Sequence, residues 1–137
     1  MIICSACLLG IKCRYDGKAK PNKKIIDIST HEKIVPVCPE QLGGLPIPGE
    51  PRERSGESVF TKSGKDVTKQ FLKGAEETLK IAKDVGAIKF IAKSKSPSCG
   101  CGKIYDGSFS GKLINGNGVT TDLLKRNNIE VITEEDL

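Results

Sequence analysis

The stretch from Asp66 to Ala92, DVTKQFLKGAEETLKIAKDVGAIKFIA, decides the fold. Val67, Phe71, Ala75, Leu79 and Ala82 recur every three or four residues, which is the spacing of one apolar helix face. Asp66 suits the N-cap and Gly86 the left-handed terminator, so the spacing predicts a helix over 66–85. Directly after Gly86 the pattern changes to the short apolar run Ala87–Ala92, as in a buried strand. A helix feeding a strand is the unit of an α/β fold with parallel strands.

Outward from this unit the alternation continues. Ile2-Ile3-Cys4 reads as a first strand, 22–31 as a short helix and 33–38 as a second strand, although Pro36 removes a ladder donor there. Residues 118–126 suit a last helix and Glu130–Thr133 a last strand. The expectation is one α/β domain over 1–137, three-layered and Rossmann-like, with a mainly parallel sheet. The Gly/Pro-rich residues 41–65 are read as one long loop, and loops of that length are usually functional or mobile.

Composition narrows the function. Apolar residues make up 37% and charged residues 28%, which excludes a disordered chain, and no apolar run approaches the roughly 20 residues of a membrane span. The net charge of +5 is scattered, and with no Trp, two Tyr and four Phe the chain lacks the basic and aromatic platform of a stable nucleic-acid partner. No basic residue precedes the apolar start Met1-Ile2-Ile3, so no export signal is read and a reducing cytoplasm is expected. In that compartment six cysteines point to metal binding or catalysis rather than to disulfides.

Three of the six fall at equivalent places: Cys7 after strand one, Cys38 at the end of strand two and Cys99 in the loop after strand three. Loops leaving the carboxyl ends of parallel strands gather at one edge, where ligands bind. Three converging thiolates suit an iron–sulfur cluster with one iron open to substrate. Cys4 is expected to pack inside its strand and Cys13 to be a bystander, while Cys101 lies close enough to Cys99 to replace it. Two competing readings use the same residues. One is a structural or redox module with a closed zinc site at Cys4, Cys7, Cys99 and Cys101, and the other is a metal-free persulfide relay. His31 has no metal role in any of them.

Five strings carry a family resemblance: Ser5–Gly10 with Cys13–Gly17, Val35–Glu40 with Gly43-Gly44-Leu45, Gly64–Thr68, Ser96–Gly100, and Tyr105-Asp106-Gly107. In this order they resemble the thiouracil desulfidase family across nearly the whole chain. The segment Pro51–Arg54 departs from the family spacing, with Gly49-Glu50 inserted. The resemblance implies a cytoplasmic enzyme that removes sulfur from thiolated uracil or its nucleotide with a [4Fe–4S] cluster. The implied ligands are Cys7, Cys38 and Cys99. The neighbouring motif residues Glu40, Ser96 and Asp16 are the candidates for proton transfer. Arg14, Arg52, Arg54 and Ser98 are the candidates for substrate contacts, with Arg52 and Arg54 as a forked phosphate anchor. Gly116-Asn117-Gly118 is a second, weaker phosphate cradle.

Overall fold

Ile2–Ser5 (β1) is buried at all four positions, as a strand must be when it has neighbours on both sides and helices on both faces. The computed structural model describes residues 1–137. Four strands form a wholly parallel sheet in the order β2-β1-β5-β8, with β2 at Ile34–Val37, β5 at Lys89–Ala92 and β8 at Glu130–Thr133. Pro36 is exposed on the outermost strand β2, where its missing N–H takes nothing from the ladder.

Lys23–Ser29 (α1) covers one face of the sheet through Ile25, which packs with Ile2, Cys4 and Ile91. Thr68–Val85 (α3) and Val119–Arg126 (α4) cover the other, with Ala82 and Leu124 against Ile3, Phe90 and Val131. Helix α3 begins two residues later than expected. Asp66 still serves its start, accepting from the Thr68 N–H at 2.9 Å, and Gly86 ends it at φ 68°. No helix is long and apolar enough to cross a membrane.

The long loop expected at 41–65 is not one loop. It holds the end of Pro39–Leu42 (α2) and an antiparallel hairpin of Arg52–Ser55 (β3) and Ser58–Thr61 (β4). A second hairpin, Lys103–Tyr105 (β6) and Leu113–Asn115 (β7), follows the Cys99 loop. Both consist of strands of only three or four residues, too short for an apolar run to stand out in the sequence.

Two close approaches fix the loops that leave the sheet. Helices α2 and α3 meet glycine to glycine: a Cβ on Gly74 would lie 1.9 Å from the Pro39 carbonyl oxygen, and one on Gly43 would lie 2.0 Å from that of Gln70. A Cβ on Gly118 would lie 2.2 Å from the Ser98 carbonyl carbon, so α4 begins directly on the loop that carries Cys99.

Candidate active site

The carboxyl ends of β1, β2 and β5 open on one edge of the sheet. Cys7 lies in the short 3-10 turn Ala6–Leu9 that follows β1, Cys38 joins β2 to α2, and Cys99 lies in the loop beyond β5. All three line one cavity of about 610 Å³. The first turn of α4 holds the Cys99 loop in place: Thr121 Oγ1 donates to the Cys99 carbonyl at 2.8 Å and the Thr120 N–H to the Ser98 carbonyl at 2.9 Å. The Gly116 and Gly118 N–H groups donate to the Gly102 and Gly100 carbonyls at 3.2 and 2.7 Å, so the amides expected to cradle a phosphate at 116–118 are spent on the chain.

Cys13, expected to be a bystander, also lines this cavity. The Lys20 and Asn22 N–H groups donate to the Cys7 and Leu8 carbonyls, folding the intervening loop back over the 3-10 turn. This buries Cys13 in the cavity wall, where the Cys38 thiol points at the Cys13 carbonyl oxygen at 3.6 Å. The remaining two cysteines lie elsewhere. Cys4 packs with Ile25 on one side of the sheet, while Cys101 packs on the other and points at the Val131 carbonyl at 3.7 Å. A closed site of Cys4, Cys7, Cys99 and Cys101 is therefore not formed.

The thiols differ in electrostatics. A hydrogen bond from Cys13 holds Cys7 below the usual thiol range, against the cost of burial and with help from Lys93. Cys38 is lowered first by the same Cys13 thiol, with the Gln41 and Glu40 amides at the start of α2 adding to it. Burial pushes Cys99 up to about 12. That is an environment in which a thiolate needs a cation to form.

Beside the thiols stands one carboxyl group. Burial raises the pKa of Glu40, while Arg52 opposes the rise from 3.1 Å. The Arg52 side chain is only 2% exposed and also donates to the Pro46 carbonyl at 3.0 Å, yet its buried Nε has no partner. Ser96 lies on the same wall. Its hydroxyl oxygen accepts the Ser98 and Cys99 N–H groups at 3.1 and 3.0 Å, leaving its proton free to donate outward.

The cavity is lined by six basic side chains, Arg14, Lys20, Arg52, Lys62, Lys93 and Lys95, against the two carboxylates Glu40 and Glu53. Glu53 is occupied. Its Oε1 accepts the Gly107 and Phe109 N–H groups at 3.0 and 3.1 Å, holding Phe109 at φ 56° on the cavity wall beside Tyr105. Sequence reasoning missed Phe109, Tyr105 and the four lysines: the two hairpins and the folded loop bring Phe109, Tyr105, Lys62 and Lys20 to the cavity, and Lys93 and Lys95 directly follow β5.

Three expected site residues do not line the cavity. Asp16 turns back to accept the Lys18 N–H at 3.0 Å. Ser98 is buried against the Thr120 hydroxyl at 2.8 Å. Arg54 clips the first hairpin to α4, donating to the Asn117 carbonyl at 2.6 Å and to Asp122 at 2.7 Å, so it forms no fork with Arg52.

The family described as 2-thiouracil desulfurase matches residues 2–136. This chain belongs to that family. A solved structure of a [4Fe-4S]-dependent thiouracil desulfidase, TudS (DUF523Vcz), superposes with a TM-score of 0.94 at 45% identity, covering 99% of this chain and 91% of that one. The uncharacterised protein YbbK of Bacillus subtilis (strain 168) is 46% identical over 147 aligned residues, covering all of this chain and 97% of that protein.

For a 2-thiouracil desulfurase the donor set is chemically apt. Three cysteine sulfurs on the wall of one solvent-reached cavity suit an iron–sulfur group, which binds through thiolates. The basic residues around them offset the negative charge that such thiolates bring.

Proposed function

We propose that this desulfurase hydrolyses the thiocarbonyl of thiolated uracil or of its nucleotide without net electron transfer: C=S and water give C=O and hydrogen sulfide. The observation that carries the reading is the placement of Cys7, Cys38 and Cys99 on one cavity whose wall also holds the buried Glu40–Arg52 pair. Cys7, Cys38 and Cys99 would hold a [4Fe–4S] group with one iron open, and that iron supplies a soft Lewis acid for a thiocarbonyl sulfur.

The remaining work belongs to the chain. Glu40 in its ionised form takes a proton from the attacking water and returns it to the departing sulfur or the ring nitrogen. Arg52 keeps the ionised form accessible inside a site that burial would otherwise neutralise. Ser96 donates a hydrogen bond to the pyrimidine. Phe109 and Tyr105 give the ring an apolar wall. The excess of basic groups around the cavity suits a phosphate, which makes the nucleotide the better substrate. Thiols kept reduced for this purpose suit a cytoplasmic enzyme.

The test is direct. Anaerobically reconstituted protein should release sulfide from a thiouracil compound and leave its oxygen analogue, with no added reductant or nucleoside triphosphate. A fully loaded protein that leaves both the free base and its monophosphate untouched would overturn the substrate class.

A further inference from the structure

The proposed chemistry uses three of the four cysteines on the cavity and leaves Cys13 without a task. Its position is unusual for a spare thiol. The loop carrying it is held by the Cys13 N–H to the Ile11 carbonyl at 2.8 Å and by the Arg14 N–H to the Lys18 carbonyl at 3.1 Å. The loop buries the thiol to 3% exposure beside both Cys7 and Cys38, whose thiols it hydrogen-bonds, and the Cys38 thiol also reaches the Cys13 carbonyl at 3.6 Å. Cys38 is the more exposed partner, and both line a cavity that solvent enters. The other spare cysteines, Cys4 and Cys101, are packed on opposite sides of the sheet and do not line it.

We propose that Cys13 is a resolving thiol: in the cluster-free protein it forms a reversible disulfide with Cys38 when a peroxide enters the cavity, keeping Cys38 from irreversible oxidation. The chemistry balances in two steps. The Cys38 sulfur attacks the O–O bond of hydrogen peroxide, forming an S–O bond and releasing one water. The Cys13 sulfur then attacks the Cys38 sulfur, the S–O bond breaks, and hydroxide leaves with the Cys13 proton as a second water. Two thiols lose two electrons and the peroxide gains them. Without a neighbouring thiol the sulfenic acid meets further peroxide and advances to sulfinic acid, which a dithiol reductant does not reverse. Disulfide formation by the metal-free chain does not depend on desulfurase activity, so the two proposals fail separately.

Trypsin makes the test selective. Cleavage after Lys12 and Arg14 releases Cys13 on the dipeptide Cys13-Arg14, Cys38 lies on Ile34–Arg52, Cys4 and Cys7 lie on Met1–Lys12, and Cys99 and Cys101 lie on Ser96–Lys103. Metal-free protein prepared without oxygen is treated with one equivalent of hydrogen peroxide, alkylated without reduction, digested and weighed. The expected product is Cys13-Arg14 joined to Ile34–Arg52, with two of the six thiols lost and both recovered with dithiothreitol. Met1–Lys12 joined to any of the three other cysteine peptides, or Ile34–Arg52 gaining two oxygens with Cys13 still alkylated, overturns the assignment. A second measurement addresses the protective role. After several equivalents of peroxide, enough to carry an unprotected sulfenic acid on to the sulfinic acid, and then dithiothreitol, the parent should reload iron to its original content and Cys13→Ser should not. Equal recovery by both removes that role.

Discussion

The parallel sheet and the two hairpins both reach the cavity, but they are held there by different forces. The loops with Cys7, Cys38 and Cys99 leave strands buried in an apolar core, and the Cys38 and Cys99 loops are wedged by the contacts at Gly74 and Gly118. The hairpins carrying Arg52, Glu53 and Tyr105, with the loop holding Phe109, are fastened mostly by charged hydrogen bonds: Arg54 to Asp122, Glu53 to the Gly107 and Phe109 amides, and Glu50 to Ser63. The difference divides the labour. Residues on the sheet side should determine whether the cofactor is held, and residues on the hairpin side should determine how well the substrate is held and turned over.

The largest expected effect tests the sheet side. Cys38→Ser removes a thiolate, and iron content should fall with activity lost altogether, as measured by iron analysis and sulfide release. Cys4→Ser, on a residue away from the cavity, should retain its iron. Equal loss in both would erase the contrast.

Next comes Glu40, which borders both regions through its bond to Arg52. Glu40→Gln should keep the cluster while kcat drops on the order of a hundredfold. Since Glu40 works ionised, activity should rise with pH through its raised pKa. Arg52→Met removes the cation that lowers that pKa, so the same limb should move to higher pH. A limb that stays in place would separate Arg52 from proton transfer.

On the hairpin side, Glu53→Ala frees the Phe109 loop. KM should rise about tenfold, equivalent to about 1.4 kcal/mol, with kcat and iron unchanged. Glu53→Gln, which keeps an acceptor oxygen, should restore most of it. The smallest expected effect is on folding alone. Arg54→Ala removes a clip outside the cavity and should cost about 1–2 kcal/mol in denaturant unfolding, with iron content and KM near those of the parent.

The sheet was legible because each strand is an apolar run bounded by turn residues, and Cys7, Cys38 and Cys99 could be placed at strand ends from that pattern alone. The hairpins were not legible. Arg52 and Arg54 look equivalent in sequence and lie on one side of a strand, yet two residues of strand advance about 7 Å. That carries Arg54 past the cavity to the start of α4, where Asp122 captures it. Asp16 and Ser98 stay off the cavity wall for a similar reason: Ser98 adjoins Cys99 and Asp16 lies two residues from Arg14, but each short side chain is satisfied locally. The place of Cys13 on the cavity wall was not legible, because only the hydrogen bonds from Lys20 and Asn22 return its loop there.

Pro36 on strand β2 bears on how this protein behaves in company. An open sheet edge is a template on which a second chain can add a strand, and β2 is one of the two outer strands of this sheet. The ring interrupts the row of donors midway along a strand of only four residues. An incoming strand then finds too few adjacent donors along β2 to register on, which disfavours strand addition at that edge.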